Sequence, residues 1–297
     1  MSFCCALGQE TIPKDPIYKN MLEIRHDNDF LLFTDRYYST GNFIGWRRLL
    51  DQKNNSSDKS QYSLFIQQEI YTPADLLETE IKKLDRPYAG FLGLTNGLTF
   101  TNSRRLLDIQ FTIGITGPYS GAEGLQTAFH KNAFDSRLAT WLGQIKTAAY
   151  GNLYATYTRE WKWQPNPFSV HFALSPKTAL GNKDIYFQQE AAFYFGRRNS
   201  IQTTSAYQQL GSTKNECFFV IRLAYRYVFH DALLEGNLIG DSSLFLIDPY
   251  RNMFLYNFEF YTRMKRHNIK FTYNFRTPKT RRTFPHLYFT ISVARTF

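Results

Sequence analysis

No stretch of this 297-residue chain stays apolar over the roughly 20 residues that a membrane-crossing helix needs. The mean hydropathy of −0.40 is likewise too polar for a helical membrane protein. Cysteine is scarce: the three residues, two of them adjacent as Cys4-Cys5, make no disulfide framework, and none has metal-ligand spacing with histidine. A GxSxG elbow, a Walker loop, an HExxH pair and a CxxC pair are all absent, which removes the common serine-hydrolase, nucleotide-binding and zinc-protease readings. The opening residues MSFCCALG lack the basic start and the length of a signal peptide, yet the small residues before Gln9 look like the tail of one. Residues 1–19 are therefore read as an N-terminal segment, a remnant of such a peptide, and residues 20–297 as one domain.

What the chain has in quantity is aromatic surface, with 20 Tyr and 27 Phe among aromatics that make up 17% of residues. Many aromatics with a polar average fit strands that alternate lipid-facing and lumen-facing groups, since such a strand crosses a bilayer in about 9–11 residues. The net charge of +10 would suit nucleic acid, an acidic membrane surface or a phosphorylated lipid. The basic residues fall at strand ends and connections, as in Arg47-Arg48, Arg104-Arg105, Arg197-Arg198 and Arg281-Arg282, and not along one helix face. That scatter argues against a groove-reading nucleic-acid binder.

Strict period two marks three runs. Leu287, Phe289, Ile291 and Val293 alternate with Tyr288, Thr290, Ser292 and Ala294, and the chain stops on Phe297. Leu107 to Ile115 and Ile269 to Phe275 repeat the pattern, with small or polar groups on the second face. Less regular runs at 20–27, 40–50, 61–71, 88–102, 150–164, 167–180, 185–196, 216–230 and 251–263 bring the expectation to about twelve strands, an even number that permits antiparallel closure. A soluble sandwich or barrel also alternates, but its strands usually have five or six residues. The fold expected is all-β, a transmembrane antiparallel barrel. One segment departs from it: GAEGLQTAFHKNAF (121–134) sets Leu125 with Phe129 and Gln126 with His130 at i,i+4, which predicts a short amphipathic helix.

Three groups could carry chemistry. His26-Asp27-Asn28-Asp29, followed by TDRYYSTG (34–41), gathers carboxylates, an amide and a glycine-containing stretch, the oxygen donors that calcium takes; the same residues also suit ordinary turns. His130, one helical turn after Gln126, could accept a proton from water, with a neighbouring amide holding its tautomer; it could equally be a surface histidine on a connecting helix. Asp85-Arg86-Pro87-Tyr88-Ala89-Gly90, preceded by Lys82-Lys83, forms a turn whose basic groups could meet phosphate. The long segment 231–250 reads as an extracellular loop that shapes access.

Taken in order, HDNDF, TDRYYSTG, IYTP, DRPYAG, GPYSGAEGLQTAFH, Trp141 with Gln144, and Leu180-Gly181-Asn182 resemble the lipid A 3'-O-deacylase (LpxR) family, over roughly residues 22–182. The resemblance implies a twelve-stranded bacterial outer-membrane barrel with its active site near the outer-leaflet end, between the barrel and its loops. It implies a calcium-dependent hydrolase that removes the 3'-linked acyloxyacyl chain of lipid A, the lipid anchor of lipopolysaccharide. By position it makes His130 the base, places Gln126 and Asn28 beside it, and assigns the Ca2+ to Asp29 with Ser39 and Gly41. The family's basic residue after the IYTP strand has no single match; Lys82, Lys83 and Arg86 are the candidates for the substrate. A catalytically silent barrel or channel, and an outer-membrane phospholipase, are the competing readings. The sequence carries no oligomerisation signal, so a monomer is expected.

Overall fold

The computed structural model describes residues 17–29, 36–52, 58–133, 138–163 and 169–297. Twelve strands pair antiparallel with their neighbours in sequence, and the first closes on the last to complete a barrel. They are β1 (Asn20–Asn28), β2 (Tyr37–Gln52), β3 (Lys59–Thr72), β4 (Ala89–Thr101), β5 (Arg105–Thr116), β6 (Ala149–Trp163), β7 (Ser169–Gly181), β8 (Asp184–Arg197), β9 (Glu216–Asp231), β10 (Asn252–Met264), β11 (His267–Arg276) and β12 (His286–Thr296). Each alternating run in the sequence is one of these strands. The expected helix is α1 (Ala122–Ala133), and a single turn, α2 (Ala232–Glu235), follows β9.

Side-chain alternation sorts the wall into two faces. Leu22, Ile24, Ile44, Ile66, Leu92, Leu94, Ile109, Phe111, Ile113, Phe258 and Val293 point outward and lie exposed. The opposite face carries charge and hydroxyls. A soluble barrel turns its apolar face inward; this one does the reverse, as a lipid-facing belt requires.

Ion pairs lace the lumen. Arg222 bridges Glu190 on β8 and Glu259 on β10, Lys177 on β7 joins Glu190 at 2.7 Å, and Arg47 joins Glu23 at 2.5 Å. Removing one partner of such a buried pair costs about 3–5 kcal/mol, because the other charge is left stranded.

The connections 73–88, 117–148, 232–251 and 277–285 gather at one end, while 102–104 and 265–266 are tight turns at the other, where β1 begins and β12 ends. Long loops on one side and short turns on the other mark the first as the outer end. Two connections depart from this rule of length: 182–183 is a tight turn at the outer end, and the β8–β9 connection is long and folds into the lumen at the inner end. Arg198 forks onto Glu160 at 2.8 and 2.7 Å, Arg263 donates to the Thr203 and Gln209 carbonyls, Lys59 to those of Gln202 and Leu210, and Leu210 packs on Met21, Leu49 and Ala294. The outer mouth is covered as well: Ala232 and Leu233 of α2 and Ile145 cluster with Tyr38, Tyr71, Ala89 and Phe91. Segment 231–250 is therefore a cap over the mouth. Between plug and cap lies a polar cavity of about 360 Å³ lined by Glu23, Arg25, Glu69, Tyr154, Lys183 and Lys270.

Candidate functional site

A row of four residues in register crosses the outer end of the wall: Asn28 on β1 pairs with Thr40 on β2, Thr40 with Ile70 on β3, and Ile70 with Gly90 on β4. All four share the parity of exposed lipid-facing neighbours, Ile24, Ile44, Ile66 and Leu92. Ile70 is nevertheless only 2% exposed, because it packs with Tyr88, Ala122 and Trp141. Helix α1 thus lies on the outside of the barrel, against the lipid-facing surface of β3 and β4.

The approach is as close as the chain allows. A Cβ at Gly90 would stand 2.2 Å from both Ala122 Cβ and Ser120 Oγ, so the helix start rests on backbone. Gly117, in the left-handed region at φ +72°, turns the chain out of β5 toward the helix, where a side chain would strike the Thr147 backbone. Gln68 Nε2 donates to the Ser120 carbonyl at 2.9 Å and fastens the turn to β3.

Along α1, Ala122, Gln126 and His130 follow at i,i+4 and share one flank. Ala122 and Gln126 are buried and His130 is half-buried, whereas Leu125 and Phe129 are exposed at 44% and 53%. The helix is amphipathic as its spacing predicts, but its polar flank turns to the protein and its apolar flank outward. That inversion is what lipid in place of water produces. Gln126 Oε1 accepts a hydrogen bond from Trp141 Nε1 at 2.9 Å, and the Trp141 indole stacks on Tyr88 at a ring separation of 5.0 Å. Trp141 holds φ at +51°, a conformation that costs a non-glycine residue about 1–3 kcal/mol unless its surroundings fix it.

At the other end of the row, Asn28 Nδ2 donates to Thr40 Oγ1 at 3.2 Å. Asp29 is buried, and its Oδ2 accepts the Arg36 backbone N–H at 2.9 Å. Ser39 is also buried, and it occupies a bulge: β2 shifts register against β3 between Tyr38 and Thr40, leaving Ser39 as the extra residue. Gly41 accommodates Tyr38, whose hydroxyl would lie 2.0 Å from a Cβ there and which donates to Asp27 Oδ2 at 2.8 Å. Thr34 and Asp35 of the TDRYYSTG motif lie outside the described residues. Among the described residues no three His, Cys, Asp or Glu side chains converge as a metal cluster. Asn28, Asp29, Ser39 and Thr40 carry amide, carboxylate and hydroxyl oxygens, the hard donors that fit Ca2+ better than zinc.

The basic candidates separate. Lys82 and Lys83 sit exposed on a single 3-10 turn, with Lys83 paired to Glu80 at 2.6 Å. Arg86 is buried in the mouth, where it donates to the carbonyls of Pro87 and Leu233 and lies over the Tyr71 ring, so it braces the cap. Burial lowers its pKa from the ordinary value, with the Asp231 carboxylate acting against that shift.

Residue reasoning did not single out Thr40, Ile70 or Gly90, or give Trp141 a partner. Their signal was present only as motifs without geometry: TDRYYSTG supplies Thr40, IYTP supplies Ile70, DRPYAG supplies Gly90 and GPYSGAEG supplies the helix start. These segments, distant in sequence, meet in one patch.

Among solved structures, LpxR from Salmonella typhimurium superposes with a TM-score of 0.78 at 17% identity, over 93% of this chain and all of that one. The β domain of the Bordetella autotransporter BrkA matches at 0.51 and 10% identity, over 95% of this chain and all of that one. At such identities these matches establish the fold. Comparison with curated protein sequences gives no match. The model of the family described as outer membrane protein LpxR spans residues 1–297, and with the barrel, its lipid-facing belt and the ordered motifs in place, the chain belongs to the LpxR family of outer-membrane proteins.

Proposed function

We propose that this protein is a carboxylic ester hydrolase that removes the 3'-linked acyloxyacyl chain from lipid A in the outer leaflet, with His130 as general base and Ca2+ as cofactor. One observation carries the reading: Asn28, Gln126 and His130 stand on the lipid-facing side of the wall at its outer end. A glycolipid of that leaflet reaches such a site by lateral diffusion, with its ester level with the helix and its acyl chains along the belt. A channel would place its working residues in the lumen, which here is plugged at one end and capped at the other.

In this mechanism His130 takes a proton from water, and the hydroxide adds to the ester carbonyl carbon. The tetrahedral intermediate collapses with cleavage of the bond to the sugar oxygen, which takes the proton back from His130 and leaves as the alcohol while the acyl chain leaves as the acid. Asn28, Asp29, Ser39 and Thr40 are the residues that would hold calcium, which when bound supplies charge stabilisation for the developing oxyanion. Gln126 is fixed beside the base by Trp141. No covalent enzyme intermediate is required, consistent with the absence of a GxSxG serine.

Mass spectrometry of lipid A incubated with detergent-purified protein, with and without excess chelator and beside His130→Ala, tests this directly. Loss of an acyloxyacyl mass that both chelator and variant abolish is the expected result. Lipid A left intact in every condition would sink the reading, and fatty acid released from glycerophospholipid in its place would make the protein a phospholipase using the same residues.

A further inference from the structure

The Gln126 amide has only one sensible orientation. An indole N–H donates and never accepts, so the Trp141 contact at 2.9 Å fixes the amide oxygen toward the indole and leaves the amide nitrogen on the other side. That nitrogen is buried and has no hydrogen-bond partner among the described residues. A buried donor left without an acceptor is rare in a folded protein, and a ligand that supplies the acceptor is one physical reason for it. Gln126 shares its helix flank with His130. Trp141 itself is held by its stack on Tyr88 and by a left-handed backbone that a tryptophan does not adopt without support, the kind of local strain that accumulates at functional sites.

We infer that Trp141 is a positioning residue: it locks the Gln126 amide so that its N–H donors face the carbonyl oxygen of the scissile ester, where they stabilise the negative charge that develops during attack. The inference rests on the hydrolase reading above and adds to it a donor supplied by the protein itself. Trp141 touches no reacting atom. It acts by preventing the amide from flipping, since a flipped amide would offer its oxygen to the oxyanion and repel it.

The test is the steady-state rate of lipid A deacylation for the full-length wild-type barrel, Trp141→Phe, Gln126→Leu, Gln126→Glu and the double variant Trp141→Phe/Gln126→Leu. The Trp141→Phe substitution keeps a ring on Tyr88 but offers no N–H, and Gln126→Glu keeps an acceptor for the indole but offers no donor. Loss of a preorganised oxyanion donor lowers kcat by about 10²-fold or more, so both Gln126 variants should fall by that order. Trp141→Phe should lose about 10-fold in kcat with KM unchanged, part of the same contribution, and the double variant should be no slower than Gln126→Leu alone. A Gln126→Glu enzyme at the wild-type rate, a Trp141→Phe enzyme within about twofold of wild type, or a double variant slowed by the product of the two single losses would each overturn the proposal. Solution NMR of the four indole N–H groups in micelles supplies an independent readout. The Trp141 resonance should move in Gln126→Leu and stay near its place in Gln126→Glu. If the wild-type barrel leaves lipid A intact, the hydrolase reading falls; the indole resonance then judges the bond alone, and a resonance unmoved in Gln126→Leu overturns the amide lock as well.

Discussion

A methyl group at position 90 decides whether α1 can lie on the wall at all. Because a Cβ there would sit 2.2 Å from Ala122 Cβ and Ser120 Oγ, Gly90→Val should lift the first turn of the helix and displace His130. A shift of about 1 Å at a catalytic group costs on the order of 10²-fold in rate. The barrel itself should stay folded, since the β3–β4 ladder does not depend on that side chain, so activity assays paired with heat-modifiable gel migration should show loss of turnover in an intact barrel. His130→Ala removes the proposed base and should lower the rate by about 10²–10⁴-fold with the fold again unchanged. A Gly90→Val protein as active as wild type would show that the helix is not held where the structure places it. At this scale the i,i+4 spacing of Gln126 and His130 was legible, because spacing on a helix is a local property. The sequence was silent on Gly90, whose importance comes from Ser120 and Ala122, far along the chain.

Helix α1 shows what an element contributes beyond its residues. Its period was legible from Leu125, Gln126, Phe129 and His130. Which flank faces the protein was not, because periodicity gives two faces and leaves the solvent of each unspecified. Here the neighbour outside is hydrocarbon, so Leu125 and Phe129 face out and the polar row faces in. A charge introduced on the lipid side of such a membrane protein costs up to about 2–4 kcal/mol, depending on depth. Leu125→Asp should therefore reduce turnover of lipid A in vesicles while affecting detergent-dispersed substrate less, as paired assays in the two media would reveal; equal losses in both would argue against lipid contact. The bulge in β2 carries the same lesson. Ser39 stands out of register because β2 and β3 pair differently on either side of it, and pairing between strands is not written in either strand alone.

The whole molecule determines whether the barrel conducts. Residues 198–215 enter the lumen and are held by Arg198, Lys59 and Arg263, while α2 covers the outer mouth. Wild-type protein in planar bilayers should show no steady conductance. Arg198→Ala, which leaves the buried Glu160 carboxylate with only His171 and Tyr207 as partners, should destabilise the plug by up to about 3 kcal/mol and produce transient openings. Steady wild-type conductance would contradict the plug and revive the channel reading. Composition offered little warning here. Arg197-Arg198 looked like a basic pair at a strand end, and only closure of the barrel brought Arg198 onto Glu160, 38 positions earlier in the chain.

The approximate number of strands, their alternation and the short helix after β5 could be read from the chain alone, because each follows from a period or a spacing within one segment. The rest waited for the fold. The fold turned the apolar face outward, laid Asn28, Thr40, Ile70 and Gly90 in one row whose Ile70 and Gly90 end lies beneath α1, fixed the Gln126 amide against Trp141 and filled the lumen. Each of these depends on which segments meet when the twelve strands close, and that meeting is set by register and by the solvent on either side of the wall.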